Sequence, residues 1–336
     1  MDSIAILGGG SWGTALALLL ARNQPQRPLS LWVHDPELAR AMRERRENEV
    51  YLPGFRLPAG IRVSSDLGEA VGDASLVVGV MPSAHARRVY SAALDSLAEL
   101  PAFVSATKGI ETETLARMTQ VIEDVASARS AAPARVAAIS GPSFALEVAR
   151  GDPVAVVAAS RDRALAQTVQ EAFSGPSFRV YTSEDVIGVE LGGAVKNIMA
   201  IAAGICIGLG LGHSTLAALV TRGAAEMTRL ACALGAQPRT LAGLSGVGDL
   251  VLTATGPLSR NRAVGIELGR GRPLAEILQS TRMVAEGIGT TAAAVELARR
   301  ASVEIPITQQ MHAVIYEGRA PRDAIRELMQ RRLKEE

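Results

Sequence analysis

The chain has 336 residues, 48% apolar and 21% charged, with a formal net charge of +1. At about 150 residues per domain this is enough for two domains, each with its own core. The near-zero charge excludes a basic nucleic-acid surface as the main feature, the interspersed Lys, Arg, Asp and Glu exclude disorder, and 3% aromatic content argues against stacking platforms.

In chain order, short apolar runs alternate with helical patterns up to about Glu184. The apolar runs predict strands at 4–7, 29–33, 76–80, 103–106, 136–139, 154–158 and 178–181, with helices at 12–22, 36–48, 84–97, 114–125 and 162–173 between them. Continuous apolar strands separated by helices indicate a parallel sheet covered on both faces, the doubly wound α/β pattern. After Glu184 the strand pattern stops, and helices are predicted at 186–207, 216–234, 262–269, 290–300, 308–316 and 322–333. The expected fold is an N-terminal Rossmann-type domain over 1–184 and an all-α domain over 185–336. The stretch 194–212 is apolar enough to suggest a membrane span, but it holds Lys196, Asn197 and several glycines, and a buried helix is expected. The charged runs 43–47 and 331–336 read as solvated helix faces. Two cysteines, Cys206 and Cys232, make no disulfide framework and point to a reducing compartment. The start MDSIAILGGG has no basic region before its apolar run and does not read as a signal peptide.

The first predicted strand runs into Gly8-Gly9-Gly10-Ser11-Trp12-Gly13 and then a helix. This is Gly-x-Gly-x-x-Gly in its required strand–turn–helix setting. Gly8 makes the tight turn, Gly10 lets a pyrophosphate approach the backbone, and Gly13 allows helix–sheet packing. The second strand ends in His34-Asp35. A basic residue there tolerates the 2′-phosphate of NADP and an acidic one binds the 2′-hydroxyl of NAD. Asp35 before Pro36 also reads as a helix cap, the preferred reading. Met81-Pro82-Ser83, Thr107-Lys108-Gly109 and Ser140-Gly141-Pro142-Ser143-Phe144-Ala145 follow the third, fourth and fifth strands at the presumed carboxyl edge of the sheet, where ligands bind in open α/β folds. Lys196 lies in an apolar helix after Gly192-Gly193. A lysine half-buried near other cations has a lowered pKa and can exchange protons near neutrality. Asp249 could pair with it, and Arg260 in Ser259-Arg260-Asn261-Arg262 supplies a fork suited to phosphate. No metal-ligand spacing of His, Cys or carboxylates is present.

Taken in order, GGGSWGTALA, LWVHDPE, ATKGIE, ISGPSFA, IGVELGGAVKNIMAIAAG, TRGAAEMTRL, LSGVGDLVLT, SRNR, VAEG and IPIT resemble the bacterial NAD(P)-dependent glycerol-3-phosphate dehydrogenases over nearly the whole chain. The resemblance implies interconversion of dihydroxyacetone phosphate and sn-glycerol 3-phosphate with NAD or NADP, supplying glycerophospholipid synthesis. It implies Lys196 as general acid/base with Lys108 and Asp249 beside it. Gly141, Ser143, Ser259, Arg260 and Asn261 would join them in holding substrate. Ser11, Trp12, His34, Ala145, Val284 and Glu286 would line the cofactor, with Lys108 and Arg260 reaching both ligands. It further implies a cytoplasmic homodimer with no nucleic-acid partner and no stable membrane insertion. The chain departs from the family pattern at Ile207 and Ser214, where an acidic residue and an Asn are usual, and at the apolar 255–258. These departures motivate a second reading, a dehydrogenase of another phosphorylated hydroxy compound. A dinucleotide sensor without turnover would not need the Lys108, Lys196, Asp249 and Arg260 set, and a His-based dehydrogenase would have to rely on His213.

Overall fold

The computed structural model describes residues 3–280, 284–333 and 335. Among these the strands are β1 (Ser3–Leu7), β2 (Leu29–Trp32), β3 (Glu47–Asn48), β4 (Leu52–Arg56), β5 (Ile61–Ser64), β6 (Ala74–Gly79), β7 (Ala102–Ser105), β8 (Val136–Ser140), β9 (Val154–Ala159) and β10 (Phe178–Ser183). Eight of them form one sheet in the order β10-β9-β8-β7-β6-β1-β2-β5, and β3 pairs with β4 in a separate ribbon. Side chains alternate across the strands. Ile4, Ile6, Leu29, Leu31, Leu76 and Val78 pack on one face with the helices Ser11–Asn23 and Arg163–Phe173. Ala5, Leu7, Val77 and Phe103 pack on the other with Ser83–Asp95 and Met118–Ser127.

The sheet is not wholly parallel, which corrects the expectation from strand composition. β9 runs antiparallel to β8, and β10 follows β9 in parallel. A parallel return needs a crossover that travels back along the sheet. The helix after β8, Ala145–Arg150, has six residues and rises only about 9 Å. The chain therefore re-enters the sheet from the edge it has just left.

Other boundaries shift for local reasons. The helix expected over 36–48 is Pro36–Arg45, because Arg46 turns left-handed at φ 54 and donates to the carbonyls of Leu57 and Ile61. Arg46 is thus not part of a solvated face. The helix expected from 114 begins at Met118, after Leu115 adopts φ 65. The last helix, Pro321–Met329, stops short of 331–333, and the rest of that charged run falls partly outside the described residues.

From Val186 onward every described element is a helix. The long helix Val186–Gly208 is apolar enough by length and composition to cross a membrane, and it is almost entirely buried within the protein. It starts beside β10. Val186 and Val189 pack on Ala138 and Ala159, and Gly193 faces Ser140 at the end of β8. The helix thus climbs the sheet to its carboxyl edge and reaches that edge as Lys196 begins the next turn. Further on it packs against Arg260–Gly269, where a side chain at Gly204 would overlap the Arg262 carbonyl. The core of this half gathers Ile198, Ile201, Ile205, Met227, Leu230, Leu250, Val264 and Met311.

Candidate active site

The chain fills β1, β2 and β5 on one side of β1 and then crosses to β6 on the other. The carboxyl ends of β1 and β6 therefore flank a topological switch point, where open α/β sheets bind ligands. Gly8 follows β1 at φ 133, and a side chain there would meet the Val80 carbonyl oxygen at 2.9 Å. At Gly13 an added carbon would overlap the Gly8 carbonyl oxygen, so the helix seats directly on the turn. At Gly10, the residue before the helix, it would meet nothing within 4 Å. The helix start is thus open to a ligand, and its first N–H groups have no intrahelical partner. Ser11 and Trp12 begin that helix, and the Trp12 indole N–H is buried without a hydrogen-bond partner. These features fit the pyrophosphate of a dinucleotide. Asn48, on the ribbon, donates to the Gly9 carbonyl and to Thr14 Oγ1, both at 2.8 Å, and holds the glycine turn.

Beyond β2, His34 is exposed, its ring 5.7 Å from that of Trp32. Asp35 Oδ1 accepts from the N–H groups of Glu37 and Leu38 and caps the next helix, as its place before Pro36 suggests. The carboxylate at the strand end is committed to the backbone.

On the far side of the crevice two lysines meet one carboxylate. Lys196 Nζ lies 2.6 Å from Asp249 Oδ1, and Lys108 Nζ lies 2.7 Å from Asp249 Oδ2. Lys196 also donates to Thr253 Oγ1 at 2.5 Å, and Lys108 donates to the Gly141 carbonyl at 2.8 Å. Lys196 is 5% exposed, more deeply buried than the half-buried site expected from sequence. Burial brings its pKa down from 10.5 to about 8. The nearby charges of Lys108 and Arg260 act the same way, while Asp249 opposes them. Asp249 is positioned by an unusual turn. Leu244–Gly248 forms one π-helical turn that leads into the helix Asp249–Thr255. Gly192, on the long helix, packs against the Ser245 carbonyl in that turn.

The remaining residues surround this group. Ser143 Oγ donates to the Gly141 carbonyl at 3.0 Å, and Ala145 opens the short helix after it. Ser259 Oγ caps the helix Arg260–Gly269 by accepting from the Arg262 N–H, so Arg260 is not the cap. Arg260 is exposed to the crevice, yet the protein walls around it lower its guanidinium pKa, with Glu286 opposing. Asn261 Oδ1 accepts from the Gly287 N–H at 2.9 Å. Glu286 accepts from Ser83, and Val284 is exposed just before it. Thr253 and Asn48 carry no sequence signal used above, and Ser83 is read only as part of Met81-Pro82-Ser83 at the carboxyl edge, without its partner Glu286. The i, i+4 spacing of Asp249 and Thr253 is a signal that could have found the first; for Asn48 and Ser83 the partners lie far away in the chain. Ile207 and Ser214 sit apart from these contacts, at the end of the long helix and in the first turn of the next, joined through Gly210 at φ 74.

Comparison with known proteins agrees over the full chain. Residues 3–166 match the family model described as NAD-dependent glycerol-3-phosphate dehydrogenase N-terminus, and residues 185–326 match the corresponding C-terminus. The chain is similar to the glycerol-3-phosphate dehydrogenase (NAD(P)+) of Koribacter versatilis, 55% identical over 332 residues and 98% of each chain. It is 51% identical to that of a Geobacter species, over 100% of this chain and 99% of the other. It superposes on the crystal structure of glycerol-3-phosphate dehydrogenase from Coxiella burnetii with a TM-score of 0.93 at 38% identity, covering 98% of this chain and 99% of that one.

Proposed function

The chain belongs to the NAD-dependent glycerol-3-phosphate dehydrogenase family, and from that premise we propose how its own residues divide the work. The reaction is the NAD(P)-dependent interconversion of dihydroxyacetone phosphate and glycerol 3-phosphate. The dinucleotide, when bound, supplies or accepts a hydride at its nicotinamide ring. Residues 1–184 are assigned to holding it and 185–336 to holding and activating the substrate. Gly8, Gly10, Ser11, Trp12 and Gly13 cradle the pyrophosphate. His34, just beyond β2, faces the adenosine ribose, and Ala145, Val284 and Glu286 line the rest of the cofactor path.

Lys196 is the proton-transferring group. In oxidation it takes the proton of the substrate C2 hydroxyl, and in reduction it returns a proton to the C2 oxygen. The observation that carries this reading is the Asp249 carboxylate shared by two lysines, one buried and shifted toward neutrality. Asp249 orients Lys196, and Lys108 keeps a second positive charge at the same centre. Gly141, Ser143 and Ser259 border the substrate. Arg260 takes its phosphate as a fork, with the Asn261 side-chain NH2 alongside, so that binding energy remote from C2 orients the reacting carbon. We also assign a homodimer in the cytoplasm that supplies glycerol 3-phosphate to phospholipid synthesis; the unpaired Cys206 and Cys232 agree with a reducing compartment.

The test is reduction of dihydroxyacetone phosphate followed at 340 nm with NADH and with NADPH, for wild type and Arg260→Lys. Lysine keeps the charge and loses the paired geometry. The variant should raise the KM for dihydroxyacetone phosphate and scarcely affect unphosphorylated dihydroxyacetone. Equal wild-type efficiency on both compounds would reject the phosphate assignment.

A further inference from the structure

We propose that Ser83 is a positioning residue for the cofactor, acting through Glu286. The proposal rests on the reading that Glu286 contacts the dinucleotide. Ser83 opens the helix Ser83–Asp95 just after β6, beside the switch point. Glu286 opens the helix Glu286–Arg300 in the other half of the chain. One carboxylate receives both donors of one serine: the Ser83 N–H reaches Oε1 at 3.0 Å and the Ser83 hydroxyl reaches Oε2 at 2.5 Å. The two residues are 203 positions apart and join the two halves across the crevice. Gly109, next to Lys108, leaves room for the contact. A side chain there would come within 2.6 Å of both Glu286 Oε2 and Ser83 Oγ.

Among the described residues Glu190 makes the same arrangement with Thr119, and Glu226 a variant of it, taking the N–H and hydroxyl of Thr308 on one oxygen and the Ile307 N–H on the other. Those carboxylates are 8% and 2% exposed and serve as closed helix caps. Glu286 is only partly buried and borders the crevice near Arg260 and Gly109. A carboxylate fixed at both oxygens still has lone pairs to offer hydroxyl or amide donors of a ligand. Held by Ser83, it meets them without first losing rotamer freedom. The pair also links seating of the cofactor to the spacing of the two halves.

Burial raises the pKa of Glu286, and the bonds from Ser83 pull it back, as do Arg260 on the helix Arg260–Gly269 and His85 on Ser83–Asp95. Removing the hydroxyl therefore moves protonation of Glu286 to higher pH, a change that simple loosening of the fold would not produce.

The experiment measures the Kd of the full-length enzyme for NADPH by fluorescence, against pH, for wild type, Ser83→Ala, Glu286→Ala and the double variant. Thermal unfolding verifies that each is folded. We expect Ser83→Ala to raise Kd roughly three- to tenfold, with kcat at saturating NADPH within about twofold of wild type. We expect its acid limb to begin at higher pH, and the double variant to bind no more weakly than Glu286→Ala alone. If Glu286→Ala weakens NADPH but Ser83→Ala leaves Kd unchanged, or weakens it additively in the double variant, the positioning role is wrong and the reading of Glu286 stands. If Glu286→Ala leaves Kd unchanged, the reading of Glu286 fails and the proposal fails with it.

Discussion

Lys196 is 5% exposed, and an ammonium taken that far out of water loses hydration that one shared carboxylate does not fully replace. Its proton is therefore held less tightly, with a pKa near 8 against 10.5. The two reaction directions should respond with opposite sign. In the role proposed for Lys196, oxidation of glycerol 3-phosphate needs the neutral amine, so its rate should rise with pH through about 8. Reduction of dihydroxyacetone phosphate needs the ammonium, so its rate should fall through the same region. Initial rates from pH 6 to 10 in both directions check this, and parallel profiles would exclude Lys196 as the titrating group. The shift also costs stability: the penalty of burying the charged form is fully present below the folded pKa of about 8 and is relieved as pH rises toward 10.5. Lys196→Ala should lower kcat by about 10²–10⁴-fold while NADPH affinity, measured by fluorescence, stays near wild type. Turnover comparable to wild type would end the assignment.

Among the elements, the turn Leu244–Gly248 and the helix after it determine where Asp249 points. Gly246 lies against backbone rather than side chain: an added carbon would overlap the Leu241 carbonyl oxygen. Backbone cannot move aside as a flexible side chain can. Gly246→Ala should therefore cost about 1–3 kcal/mol by denaturant unfolding. It should also lower kcat more than it raises KM for dihydroxyacetone phosphate, because Asp249 is three residues further on and holds Lys196. A stable variant with wild-type kcat would show that the turn tolerates the change. The motif Gly-Val-Gly-Asp announces a bend and a carboxylate, but a π turn depends on what presses on it from Gly192 and Leu241. The antiparallel β9 is similar. Its apolar run looks like that of a parallel strand, and only the short connection after β8 decides its direction.

For the whole molecule, the question is what keeps the helical half seated on the sheet. Glu190, on the long helix, accepts from the Thr119 N–H at 2.8 Å and its hydroxyl at 2.6 Å, and pairs with Arg117. The Arg117 and Glu190 side chains are 14% and 5% exposed. Removing one partner of a pair this buried leaves the other charge uncompensated. Glu190→Ala should cost about 3–5 kcal/mol, read as a lower denaturant midpoint. A loss below about 1 kcal/mol would show that the pair behaves like a surface ion pair. Among the described residues, Glu190 and Glu286 each hold a helix N-terminus across the boundary between the halves, Glu190 away from solvent and Glu286 at the crevice.

Sequence alone determined the features whose partners are neighbours in the chain. The seating of the helix at Gly13 on the Gly8 turn, the alternation of strand and helix, the change to helices after Glu184 and the cap at Asp35 rest on contacts within a few residues. Periodicity and turn chemistry report such contacts directly. The resemblance to a family then named Lys108, Lys196, Asp249 and Arg260 together, without saying how they meet. Only the tertiary structure decided that. Lys196 and Asp249 are 53 positions apart, Lys108 and Asp249 are 141 apart, and Ser83 and Glu286 are 203 apart. Whether a lysine is half-buried or fully buried, and so where its pKa lies, depends on how many distant surfaces close over it. That sum is fixed when the long helix climbs the sheet and the halves pack together, and no local pattern carries it.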